Sequence, residues 1–265
     1  MKNAAVIGMM WILATSAAAQ ESARERLEKS PRHHEWVQVQ AGDRTVHSFL
    51  VYPEVKEKAT AVIIIHENRG LTDWVRSVAD QVAQAGYIAI APDLLSGTAP
   101  GGGKTSDFPS EDAAREGIYK LPPDQVMADL SAVADYVVKL PACNGKLTVA
   151  GFCWGGGQAF RFAGHRPDLK AAFVFYGPAP DKKEDLARIQ CPIYGFYGED
   201  DARINTGIRP TAELMKELGK KYEPVIYDDA GHGFMRAGQE PGGSQTNKKA
   251  REQAWERWRS VLKSL

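Results

Sequence analysis

Cys153 is enclosed by glycines in the run VAGFCWGGGQAF, between the apolar stretch KLTVAGF and a segment of helical spacing. Gly151-x-Cys153-x-Gly155 is the pattern of a nucleophile elbow with sulfur in place of a hydroxyl. The chemistry accounts for the glycines. A tight strand-to-helix turn strains the backbone at the nucleophile, and side chains beside it would collide with the flanking strand and helix. The start of the following helix presents orphan N–H groups and the positive end of its dipole, which favour negative charge there. The N–H of Trp154 would then point at a developing oxyanion.

A nucleophile of this kind needs a base, and the base needs an acid. The chain order nucleophile, acid, histidine selects His232, in the loop AGHGF after the apolar run EPVIYDD. His165 also follows Cys153, but it falls at the end of the helix that begins at the elbow, pointing away from the mouth. The acid is expected after PIYGFYG, where Glu199, Asp200 and Asp201 stand together. Asp201 is preferred because two residues beyond Gly198 carry a carboxylate over the strand end; Asp200 stays open as the alternative. Asp228 and Asp229 read as capping or solvating the histidine's own turn. Glu67, in HENRGL after the strand AVIII, would face the thiol and could accept its S–H bond at rest. Asn68 in the same loop can supply a second oxyanion N–H.

These residues share one property: each follows an apolar run that reads as a buried strand. EWVQVQ and RTVHSFLVYP flank Ala41-Gly42-Asp43 as a hairpin. Strands and helices then alternate to the C-terminus, which predicts a mostly parallel sheet with helices on both faces. Ligands in such sheets bind outside the carboxyl ends of the strands. Helices are expected from an Asp73 cap to Gly86, after Asp124, from about Gly155 and over 209–220. A terminal amphipathic helix presents Trp255, Trp258, Val261, Leu262 and Leu265 as core. Residues 95–121 are rich in Gly, Pro and Ser and read as a lid or a solvent loop.

The whole chain bounds the possibilities. Its 265 residues are 43% hydrophobic and 25% charged, which suits a single α/β domain over 20–265. Net charge is zero and the pI is near 7.0, which argues against nucleic acid or an acidic membrane as partner. The cluster Lys248, Lys249, Arg251, Arg257 and Arg259, with Glu252 and Glu256 interleaved, reads as a solvated helix face. There is no metal-spaced set of Cys and His, and no cofactor is expected. Lys2, the apolar run from Ala4 to Ala14 and Ala17-Ala18-Ala19 predict a cleaved signal peptide over 1–19, with Gln20 as mature start. The run is too short to span a bilayer, and no cysteine near the cleavage point could carry a lipid anchor. A periplasmic or secreted monomer follows. Its three cysteines are an odd number, so a Cys143–Cys191 bridge would leave Cys153 free.

The motifs HENRGL, APDLL, GFCWGGG, YGEDDARIN and GHGFMR, in this order, resemble the dienelactone hydrolase (carboxymethylenebutenolidase) family from about Ala61 to the C-terminus. The resemblance implies an α/β-hydrolase fold and a Cys153–Asp201–His232 triad. It also implies that Glu67 controls the resting protonation of the thiol, and that Arg236 binds a substrate carboxylate. The second arginine of that family, just beyond APDL, is replaced here by Ser96-Gly97-Thr98; Lys104 and Arg115 are candidates to substitute. The expected activity is hydrolysis of a small ester or lactone. A general carboxylesterase without anionic preference, and a non-catalytic binding or thiol-redox protein on the same scaffold, are the alternatives.

Overall fold

The computed structural model describes residues 22–265, so the expected signal peptide lies outside the described residues. Its sheet has eight strands in the order β1-β2-β4-β3-β5-β6-β7-β8. β1 (His34–Ala41) and β2 (Arg44–Val51) form the leading hairpin, with Ala41 paired to Arg44 and Gly42 at φ 61° in the two-residue turn. β2 runs antiparallel to β4 (Ile88–Pro92), and all remaining pairings are parallel. β3 (Ala59–Ile65), β5 (Cys143–Phe152), β6 (Ala171–Phe175), β7 (Ile193–Gly198) and β8 (Tyr222–Tyr227) therefore all end at one edge. The unbroken apolar runs of β3, β4, β6 and β7 are buried along almost their full length, as expected of strands covered on both faces.

Helices cover the sheet on both sides. One layer holds α2 (Asp73–Gln84), α8 (Phe234–Ala237) and α9 (Gln245–Ser264). The other holds α4 (Pro123–Val137), α5 (Trp154–His165), α6 (Lys183–Ala187) and α7 (Ala202–Glu217). Trp258 of α9 is fully buried edge-on to Phe175, at 5.1 Å between ring centres, and stacks at 4.8 Å on Trp255. Ahead of the hairpin, α1 (Ala23–Lys29) packs on α2 and is capped by Ser22. The buried carboxylate of Asp80 in α2 secures this lead-in: it accepts from Ser30 and from Arg32 at 2.7 and 2.8 Å, and lies 2.9 Å from His34 Nε2. Burial works against that charge, but these partners outweigh it and hold the Asp80 carboxyl below its ordinary range.

Several expectations are corrected. Thr72, not Asp73, is the N-cap of α2; Asp73 is the first helical residue and pairs with Arg76. α7 begins at Ala202, not 209, because Pro210 sits within the helix on its solvent side. Residues 95–121 are not one irregular loop. Ser110 caps α3 (Glu111–Tyr119), whose Ala114 and Ile118 bury against Leu95 and the half-buried Trp154. The same segment is tied down by Asp93, which accepts from the Thr105 N–H at 2.9 Å and its hydroxyl at 2.7 Å. The basic cluster of α9 is not a solvated face throughout. Arg257 donates 2.7 Å bonds to the carbonyls of Gly195 and Glu223 and lies 4.4 Å over the Phe196 ring. Arg251 is half-buried against Trp255 and Gln81.

Candidate active site

Five strand ends converge on one place. β5 delivers Cys153, β7 Asp201, β8 His232, β6 Tyr176, and β3 the run His66-Glu67-Asn68. Cys153 has φ 54° and ψ −117°, a conformation that an L-residue adopts only when its surroundings hold it there. The hold is visible in the backbone. Cys153 N–H donates to the Phe175 carbonyl at 3.0 Å, and its own carbonyl accepts from Gly156 and Gly157 at 3.0 and 3.3 Å. A Cβ on Gly155 would fall within 2.5 Å of the Ile65 carbonyl oxygen and closer still to that of His66. Glycine is therefore the side chain that lets the elbow pass under β3.

Three side chains then form a line. His232 Nε2 lies 3.1 Å from Cys153 Sγ, and its Nδ1 lies 2.5 Å from Asp201 Oδ2. Asp201 is 6% exposed, whereas Asp200 is exposed, so the structure brings the first of the two candidate acids to the histidine. Glu199 instead accepts from the Asp229 N–H at 3.0 Å, bracing the turn before His232. Burial opposes charge on the imidazole, but the hydrogen bonds to Cys153 and Asp201 outweigh it and lift His232 to about 9. All three cysteines are free, and Cys143 and Cys191 are buried without pairing. Burial pushes the Cys191 thiol up to about 12.

Glu67 lies in the expected loop after β3, but its hydrogen bonds go to other groups than the thiol. It is 5% exposed; one oxygen accepts from Arg236 Nε at 2.9 Å and the other from the Tyr176 hydroxyl at 3.3 Å. The thiol is bonded to His232 rather than to this carboxylate. Arg236, on α8, is also bonded at 3.0 Å to Glu240, so both candidate electrostatic groups are engaged with protein partners. Asn68 donates its side-chain amide to the Tyr119 hydroxyl of α3 at 3.2 Å. Trp154 is the first residue of α5, where a helix leaves the N–H without an intrahelical acceptor.

Two residues stand out that the sequence reading passed over. Tyr176, at φ 42° just after β6, is fully buried edge-on to His232 at 5.1 Å. Burial, then the Glu67 charge, raises its phenol well above the ordinary value, so it remains a donor to Glu67. Its position at a strand end was the available signal. His66 is fully buried, and desolvation lowers its pKa despite the nearby Asp93. Leu94 N–H donates to its Nε2 at 3.3 Å, which places the ring proton on Nδ1, donated to the Glu67 carbonyl at 2.8 Å. Its ring stacks on Trp154 at 5.5 Å, joining the β3 loop to the elbow.

Beside this site lies a cleft of about 560 Å³ whose walls include Trp36, Leu71, Trp74, Arg69, Lys104 and Arg236. Arg236 is the side chain that this cleft shares with the thiol site. Lys104 faces it, 5.9 Å from the Trp36 ring, whereas Arg115 is paired with Asp112. Ser96, in place of the second arginine, is buried and accepts from the His47 N–H. Among the described residues no group of His, Cys, Asp and Glu is disposed to hold a metal ion, and no helix is long and apolar enough to cross a membrane.

A mostly parallel eight-stranded sheet with an elbow after β5 and a histidine after β8 defines an α/β-hydrolase fold. The solved structures agree. A Klebsiella pneumoniae protein titled "Putative Dienelactone Hydrolase" superposes with a TM-score of 0.77 at 23% identity, covering 88% of this chain and 99% of that one. An acylaminoacyl peptidase of Pyrococcus horikoshii gives 0.64 at 14% identity, covering 88% of this chain and 41% of that one. Residues 46–265 match the model of the dienelactone hydrolase family, and the chain belongs to that family. A Salmonella typhimurium protein named "Putative carboxymethylenebutenolidase" is 32% identical over 79% of each chain. The carboxymethylenebutenolidase of Pseudomonas putida is 28% identical over 76% of this chain and 86% of its own. The protein is thus a hydrolase of that family.

Proposed function

We propose that the protein is a cysteine-dependent hydrolase of small carboxylic esters or lactones, exported to the periplasm or beyond and working as a monomer. The observation that carries this reading is the hydrogen-bonded line Cys153–His232–Asp201. His232 takes the thiol proton, and Asp201 fixes the ring and stabilises its charge. Sulfur attacks the carbonyl carbon while the N–H groups of Trp154 and Asn68 hold the oxyanion. Collapse expels the alcohol, which takes its proton from His232, and leaves a thioester. Water then gives a proton to His232 and attacks the thioester, releasing the acid and restoring the thiol.

Sulfur is a better leaving group than an ordinary alkoxide, so the nucleophile suits activated esters such as enol and aryl esters. In this reading Arg236, now paired with Glu67, receives a substrate carboxylate. A general carboxylesterase is the second reading, favoured by the engagement of Arg236 with Glu67 and Glu240 and by Ser96 in the second arginine's place. The decisive experiment for the chemistry is Cys153→Ala assayed with an activated aryl ester. Turnover is expected to disappear, and iodoacetamide should label Cys153 ahead of the two buried thiols and abolish activity. Unchanged turnover in the variant would overturn the proposal.

A further inference from the structure

Most arginines of the described chain rest on a carboxylate, from Arg24 on Glu28 to Arg236 on Glu67. Three that do not are gathered in one place. Arg26 of α1 and Arg251 and Arg259 of α9 line a cleft of about 370 Å³ with Gln84, Trp255 and Glu252. None of the three has a carboxylate oxygen within ion-pair distance among the described residues. Three guanidiniums against the single carboxylate of Glu252 leave the walls with two excess positive charges.

The cost of this arrangement is visible in the side chains. Among the described residues the Nε atoms of Arg26 and Arg251 are buried without an acceptor, as is the indole N–H of Trp255. Among the described residues Arg251 is bonded only to amide oxygens, those of Gln81 at 2.5 Å and Gln239 at 3.3 Å. Burial first, then the like charge of Arg26, lowers its pKa to about 10. Arg259 is exposed, but Arg26 and Arg251 are half-buried, and holding two such guanidiniums close together without an anion leaves neither desolvation nor repulsion compensated. The cleft also lies apart from the thiol. It is bordered by Gln84 and Ala85 at the C-terminal end of α2, which runs back from the carboxyl edge of the sheet.

We propose that this cleft between α1, α2 and α9 is a binding site for a phosphate group, either inorganic phosphate or the phosphate of a small monoester. A dianion matches the two excess charges, and planar guanidiniums match its oxygens with paired N–H donors. The cleft is roomy enough for a small organic group beside the phosphate. The site is independent of the thiol chemistry, so its test does not use esterase activity.

The test titrates the full chain with inorganic phosphate at fixed ionic strength and reads thermal unfolding and isothermal calorimetry. A saturable rise in Tm is expected, with one site per chain. Arg26→Gln with Arg259→Gln should weaken the apparent Kd at least about tenfold, and Glu252→Gln should tighten it. Arg26→Lys, which keeps the charge but loses the fork, should fall between and guards against misfolding of the double variant. Glycerol phosphate binding tighter than phosphate assigns the ester, and the reverse order assigns the free ion; both support the site. A response no greater than that to sodium chloride overturns the proposal. So does an equal response in the wild type and the double variant, or tighter binding of succinate than of either phosphate.

Discussion

His232 Nε2 lies 3.1 Å from Cys153 Sγ, although the two are 79 positions apart in the chain. The distance is set by two strand ends that point the same way, with β6 and β7 between them. Asp201, at the end of β7, closes the line from the other ring nitrogen.

This line predicts a pH-dependent contribution to stability. His232 is raised from 6.5 to about 9 in the folded protein. Charge on the ring therefore favours the fold fully below about pH 6.5, and the benefit is lost as pH rises through 9. Asp201→Asn removes the partner charge while keeping the shape. Urea unfolding should show the variant less stable than wild type at about pH 6, with the gap closing by about pH 10. Ester turnover in the variant should drop by about 10³-fold or more. A stability gap that does not change with pH would show that the pair adds no charge-dependent term.

The ion pair of Arg236 with Glu67 yields a second prediction. Glu67 is 5% exposed, so Arg236→Ala leaves a buried carboxylate with the Tyr176 hydroxyl as its remaining bonded side chain. The expected loss is about 3 kcal/mol in denaturant unfolding, and Glu67→Gln in the same chain should recover much of it. Kinetics separate the two substrate readings. Selective loss for carboxylate-bearing esters, with KM raised about tenfold or more and neutral esters unaffected, supports anionic recognition. An equal loss for both classes supports the general carboxylesterase.

The site was legible in the sequence where a local pattern carries the constraint. Gly151-x-Cys153-x-Gly155 announces a close backbone approach, and the order of strands places His232 and Asp201 beyond their ends. Tyr176 and His66 were harder because their roles depend on contacts far along the chain, Tyr176 with Glu67 and His66 with Leu94. Composition misled in two places. The Gly- and Pro-rich stretch before α3 hides a helix whose burial rests on Ala114 and Ile118 alone. Pro210 reads as a helix start because a proline inside a helix forfeits one hydrogen bond; on the solvent side of α7 that loss is tolerated. Charge spacing misled at α9, where periodicity cannot reveal that Arg251 and Arg257 turn inward.

The packing of the elbow gives the last prediction. Gly155 is faced at close range by the backbone carbonyls of Ile65, the last residue of β3, and His66 just beyond it, which cannot rotate away as a side chain would. Gly155→Ala must therefore displace the elbow or the strand, and a loss of about 3 kcal/mol is expected, with turnover falling as Cys153 moves from His232. Gly207, on the exposed face of α7, has open space where a Cβ would sit. Gly207→Ala should instead raise stability by about 1 kcal/mol through helix propensity and leave turnover unchanged. Denaturant midpoints for both variants, read beside aryl-ester rates, check the contrast. If Gly155→Ala retained wild-type stability and rate, the elbow would have slack that its carbonyl contacts do not suggest, and steric control of the Cys153 backbone would have to be abandoned.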